Sequence, residues 1–154
     1  MLDLLPHSGG CDVRVLFVSD THIGLDWPTR PRVVRHRRGD DFFQNFERAL
    51  EPARTGEVDV VVHGGDLLYR SRVPAWVDET ALAPLKRVAS SGVPVLLVPG
   101  NHEPGRIPFP LLAVHEGLHV FDRPRSVVLD AGGVRVAFIG LGITGNVEHS
   151  DWRL

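Results

Sequence analysis

The sequence predicts an α/β fold from two observations. Three β-branched apolar runs each stop at a polar, glycine-containing loop, and two amphipathic helical segments lie between those runs. A third observation, the turn signal Ala131-Gly132-Gly133 between two further apolar segments, adds an antiparallel hairpin.

The elements follow in order. Residues 13–19 (VRVLFVS) read as a buried strand. Residues 41–53 (DFFQNFERALEPA) place Phe42, Phe46 and Ala49 or Leu50 at helical spacing, with Asp40 or Asp41 available as N-cap, which predicts one crossover helix. Residues 58–63 (VDVVVH) form the second buried strand. Residues 74–90 form a second helix, with a proline in its first turn and Trp76, Leu82, Leu85 and Val88 toward the core. Residues 93–98 (VPVLLV) form the third strand, and residues 126–129 and 134–139 the hairpin.

Composition bounds the function classes. Hydrophobic residues at 43% and charged residues at 23% describe a folded domain rather than a disordered segment. No internal repeat, low-complexity tract or linker divides the 154 residues, so a leader over residues 1–12 and one domain over residues 13–154 are expected. A net charge of −2 supplies no global attraction to nucleic acid or membrane, so polyanion binding would need a local patch or metal ions. Cys11 is the sole cysteine, which excludes an internal disulfide and suits a reducing compartment. The opening Met1-Leu2-Asp3-Leu4-Leu5-Pro6 lacks the features of a signal peptide, and no run approaches the roughly 20 apolar residues of a membrane span. A cytoplasmic protein with no membrane partner is expected.

The chemistry-bearing residues follow the three buried strands. The first runs into Ser19-Asp20-Thr21-His22, the second into His63-Gly64-Gly65-Asp66, and the third into Pro99-Gly100-Asn101-His102-Glu103. Ligands of α/β sheets bind outside the carboxyl ends of the strands, so the three loops should converge on one crevice. Asp20 and His22 are two apart, so an extended chain would project both to one face with Thr21 pointing away. Gly65 and Gly100 allow tight turns and close backbone approach. Carboxylate, imidazole and amide oxygen together suit Mn²⁺, Fe or Zn²⁺ better than Ca²⁺.

In this order, Asp20-x-His22, Gly65-Asp66 and Gly100-Asn101-His102-Glu103 resemble the calcineurin-like metallophosphoesterases. The contexts Ser19-Asp20-Thr21-His22-Ile23-Gly24 and Gly64-Gly65-Asp66-Leu67 are most similar to the SbcD-type DNA repair exonuclease branch. The resemblance covers roughly residues 13–142. It implies a sandwich of two mixed sheets flanked by helices, and a centre of two divalent metal ions, Mn²⁺ foremost with Fe or Zn²⁺ as alternatives. It further implies that Asp20 and His22 bind the first ion, Asp66 bridges both, Asn101 binds the second, and His102 acts as general acid. The implied activity is two-metal hydrolysis of phosphodiester or phosphomonoester bonds, with DNA among the substrates.

The family pattern continues with a further histidine and then a Gly-His-x-His segment, and none of His115, His119 and His149 is followed by such an arrangement here. The resemblance is therefore to the amino-terminal part, and the fold is expected to be incomplete at the carboxyl terminus. The remaining histidine ligands would come from a missing carboxyl-terminal segment or a partner chain. His115 and His119 read as structural, at a helix end and a strand edge, and His149 as a weak ligand candidate. Exposed apolar surface is expected where the second sheet would continue.

Other readings remain to be weighed. The basic cluster Arg30, Arg32, Arg35, His36, Arg37 and Arg38 is either a solvated face or a loop in which Arg35, Arg37 and Arg38, with Asn101, contact substrate phosphates. Gly140-Leu141-Gly142-Ile143-Thr144-Gly145 fits a dinucleotide-binding fingerprint but lacks the required following helix and strand. Ser19, Asp20 and His22 do not make a serine hydrolase, because no G-x-S-x-G elbow occurs. The alternative that stays open is a catalytically inactive relative serving as a binding or scaffold module.

Overall fold

The computed structural model describes residues 12–27, 38–103 and 114–141. Its first layer is a parallel four-stranded sheet of order β1-β2-β3-β4, formed by β1 (Val15–Val18), β2 (Val60–His63), β3 (Val95–Leu97) and β4 (Leu118–Val120). Helices α1 (Gly39–Ala49), α2 (Glu51–Arg54) and α3 (Ala75–Ser90) lie in the crossovers. A hairpin of β5 (Arg125–Ala131) and β6 (Val134–Gly140) forms a separate antiparallel pair. The α/β class holds. Among the described residues each of the two sheets is of one kind, parallel or antiparallel, rather than mixed.

Side-chain alternation divides the sheet into two faces. Val61, Val95 and Leu97 join Phe46, Leu50, Val77, Ala81, Leu85 and Val88 in the helix-side core. Val60 and Leu96 are also buried, outside that cluster, on the opposite face. The hairpin rests at one end on the chain entering β1, where Gly132 meets Asp12 and Val13, and at the other on the Phe121 ring, which packs against Gly140. The Phe121 contact explains the first glycine of the dinucleotide-like run sterically: a side chain at Gly140 would overlap the ring.

Several expectations are corrected. The first helix is two, because Pro52 lacks the N–H that would continue the ladder and its ring crowds the preceding turn; the chain bends at Leu50 and restarts as α2. Its N-cap is Arg38, with no side-chain cap bond, and Asp40 and Asp41 fall in the first turn, where they face the positive end of the helix dipole. In the third helix Pro74 is the N-cap rather than a first-turn residue. Val77 rather than Trp76 faces the core there: Val77, Ala81, Leu85 and Val88 share one stripe, while Trp76 is 47% exposed and packs on Trp27. The first strand is an edge strand and only half buried, with Leu16 and Val18 on the helix-side core and Val15 and Phe17 exposed. β4 was anticipated only as a strand edge at His119, with no range; three residues with a histidine in the middle carry no periodic signal.

The sheet register positions the functional loops. Val18 pairs with His63 and His63 with Leu97, so β1, β2 and β3 end at one level. Among the described residues no helix is long and apolar enough to cross a membrane.

Candidate metal centre

Beyond the strand ends the first two loops stay paired. Asp20 N–H donates to Gly65 O at 3.0 Å, His22 N–H to Asp66 O at 3.0 Å and Ile23 N–H to Leu67 O at 2.7 Å. Ile23 then bridges Leu68 in parallel fashion. The third loop joins through backbone contact: Gly65 lies on the Gly100 backbone, and a Cβ on Gly100 would run into Asp66 Oδ1 and the Asp66 nitrogen. Both glycines thus serve the close approach that the sequence suggests.

These constraints put Asp20, His22 and Asp66 in unusual backbone states, with φ of 55°, 45° and 52°. Non-glycine residues avoid this region at a cost of order 1–3 kcal/mol each, and such residues cluster where surrounding structure holds a functional geometry. Asp20 and His22 therefore converge through a turn and not through strand alternation. His22 Nε2 lies 3.9 Å from Asp20 Oδ1. Thr21 does point away, into the protein.

One donor atom each from Asp20, His22 and Asp66 lies within 4.8 Å of the others. Donors about 2.1 Å from an ion sit up to about 4.2 Å apart, so small side-chain rotations would let the three share one ion. Two carboxylates and an imidazole suit Mn²⁺, Fe or Zn²⁺. The donor set fits a divalent cation.

His102 stands beside this group, its ring centroid 4.7 Å from that of His22. The His102 backbone N–H donates to Asp66 Oδ1 at 2.9 Å. Its Nδ1 lies 2.7 Å from the Tyr69 carbonyl, which accepts only, so Nδ1 carries the proton and Nε2 is the nitrogen available for other chemistry. Asn101 is exposed in the same turn. Arg38 is not brought to the group: its guanidinium pairs with Asp41 at 3.0 Å and its backbone N–H donates to Asp26. Arg35, Arg37 and His149 lie outside the described residues. His115 precedes β4 and bonds Ser90 at the end of α3 at 2.9 Å, and His119 sits in the edge strand β4, so both occupy structural positions.

His63 ends β2 but is fully buried, edge-on to Phe46, and does not join the donors. Burial lowers its pKa to about 4, against the opposing pull of the Asp20 and Asp66 charges, so it is neutral near pH 7. Two residues carry more than sequence reasoning assigned them. Glu103, 5% exposed, accepts from Leu68 N–H at 2.5 Å and Gly100 N–H at 2.7 Å, and burial raises its carboxyl above the usual range. Thr21 Oγ1 bonds both His63 and the Leu67 carbonyl. The available signal was an acid and a hydroxyl placed directly beside the ligand residues.

Residues 13–150 match the family model described as calcineurin-like phosphoesterase. The chain belongs to the calcineurin-like phosphoesterases. This family comprises metal-dependent hydrolases, and its members bind divalent metals. The chain is similar to proteins named DNA double-strand break repair protein Mre11 from three organisms. Identity is 42% over 94 residues with that of Haloferax volcanii, which covers 60% of this chain and 20% of the relative. It is 34% over 144 residues with that of Halobacterium salinarum, covering 90% and 34%. It is 32% over 136 residues with that of Aeropyrum pernix, covering 82% and 32%. The chain thus spans between 20% and 34% of the length of these curated relatives. Their names agree with the DNA repair branch of the family that the motifs resemble.

Proposed function

We propose that this chain carries the amino-terminal half of a two-metal phosphoesterase site acting on phosphodiesters, with DNA as the substrate class. The observation that supports this reading most directly is the gathering of Asp20, His22 and Asp66 donors within 4.8 Å, with His102 alongside. Asp20, His22 and Asp66 would hold the first ion, and Asp66 with Asn101 the second. Bound there, Mn²⁺ ions would supply Lewis-acid polarisation of the phosphoryl group and help ionise an attacking water. The second ion would have few ligands from this chain, so further histidines would come from residues beyond it in a longer product or from a partner chain.

The chain's own residues prepare the rest. The Tyr69 carbonyl fixes the His102 tautomer, which leaves Nε2 to carry a proton toward a departing alkoxide as general acid. The His102 backbone N–H bond to Asp66 Oδ1 ties the third loop to that carboxylate, at the residue whose ring stands beside it. Substrate phosphates would be steered by Asn101 and by Arg35 and Arg37 of the basic run, whose Arg38 is instead paired with Asp41.

Mn²⁺-dependent hydrolysis of a generic phosphodiester and of linear DNA tests this, with Asp66→Asn as control. Turnover that falls by at least about 100-fold in Asp66→Asn is expected, because the substitution removes a direct ligand and loss of even an outer partner costs about 10–100-fold. Turnover that survives Asp66→Asn would sink the assignment. If neither the chain nor the chain supplemented with the rest of a relative's domain hydrolyses either substrate, a non-enzymatic binding module becomes the better account.

A further inference from the structure

Asp66 is held from both sides by a buried polar relay that touches all three loops. On one side, Gly65 N–H lies 3.3 Å from His63 Nδ1, and His63 Nε2 lies 3.1 Å from Thr21 Oγ1. The Thr21 hydroxyl has one proton, and the Leu67 carbonyl, which only accepts, lies 3.2 Å away. The hydroxyl therefore donates to Leu67 O, and His63 donates to Thr21 through Nε2–H. The Gly65 contact independently requires the same tautomer, since Nδ1 must accept.

The peptide unit between Leu67 and Leu68 is gripped at its other end as well. Its carbonyl takes Thr21 Oγ1 and Ile23 N–H from the first loop, and its N–H donates to Glu103 Oε1 at 2.5 Å from the third. The second Glu103 oxygen binds Gly100 N–H at 2.7 Å, which presses the Gly100 backbone onto Asp66. Asp66, one residue before this peptide, has a φ of 52°, a state that persists only where surrounding structure holds it.

We infer that Thr21 and Glu103 are positioning residues of the metal centre, which orient the Asp66 carboxylate by clamping the Leu67–Leu68 peptide from opposite loops. The inference rests on the metal-binding reading above. Neither side chain belongs to the three-donor group, and neither is among the residues that the family resemblance assigns to the metals.

The test is Mn²⁺ affinity of the purified chain, read from free Mn²⁺ by electron paramagnetic resonance at a temperature where circular dichroism shows each variant folded. Exchange of the Leu68 amide is followed in parallel. Thr21→Val keeps the shape and removes the hydroxyl; Glu103→Gln turns an amide donor toward one of two backbone N–H groups. Each should weaken Mn²⁺ binding by about 10–100-fold, the effect typical of losing an orienting partner. Leu68 exchange should speed up, and Thr21→Ser should restore most of the affinity. Should Thr21→Val not fold, Glu103→Asp, which keeps the charge and shortens the reach, carries the same test. Folded variants with unchanged affinity overturn the inference and leave the metal centre standing. An unsubstituted chain without Mn²⁺ uptake that Asp66→Asn abolishes sinks the metal reading itself, and the positioning role with it.

Discussion

His63 shows how a single buried residue ties stability to pH. Its ring is fully buried and donates to Thr21, and burial holds its pKa near about 4, against 6.5 in an unfolded chain. Above pH 6.5 both states carry it neutral and it adds no pH dependence. As pH falls from about 6.5 toward about 4 the unfolded chain takes up a proton that the native state refuses, so stability drops by about 1.4 kcal/mol per pH unit. Glu103 acts in the opposite sense at the acid end, because its raised pKa lets the native state take up a proton first. Urea midpoints measured between pH 7 and pH 4.5 should fall in the unsubstituted chain, and more shallowly in His63→Gln. Equal slopes would mean that His63 is not the responsible group. At this scale the ligand candidates were legible because each sits within a few residues of a strand end. The relay through Thr21 and Glu103 was not, since it joins residues 35 to 46 positions apart, which only the folded chain brings together.

Helix periodicity located α3 correctly but rotated it by one position at its start. Leu82, Leu85 and Val88 took the buried places expected of them, whereas Trp76 yielded to Val77. The stripe through Ala81 and Leu85 decided for the valine. A stability comparison follows. Leu85→Ala, at a site with no exposure, should cost about 2–5 kcal/mol, with a matching fall in urea midpoint. Trp76→Ala removes more atoms from a half-exposed flank and should cost less; the reverse order would place Trp76 in the core. Pro52 is the corresponding case in the first crossover. Its proline signal was present in the sequence, but the apolar spacing on either side masked it, and the chain formed two helices where the spacing alone predicts one. For β4 the sequence offered no more than a strand edge at His119, because its place is set by pairing with β3 and not by its own three residues.

The whole molecule leaves apolar surface on both of its sheets. Val15 and Phe17 are 46% and 64% exposed on the edge strand β1, and Val128 and Ile139 are 58% and 64% exposed on the outer face of the hairpin. Val60 and Leu96 in the middle of the parallel sheet are buried, whereas the outward-facing Val15 and Phe17 of β1 are not. Side chains so placed each gain on the order of 1 kcal/mol when covered, so four of them give a chain of this size a standing tendency to associate. Sedimentation velocity over a range of concentrations should show the unsubstituted chain associating as concentration rises. Phe17→Thr combined with Ile139→Thr leaves a β-branched residue suited to a strand at each position and removes a largely exposed apolar side chain from each sheet. The double variant should therefore stay monomeric to higher concentration with an unchanged far-ultraviolet circular dichroism spectrum. Association that persists undiminished in a folded double variant would assign it to other surface. Reduced association would assign it to the faces that Phe17 and Ile139 present.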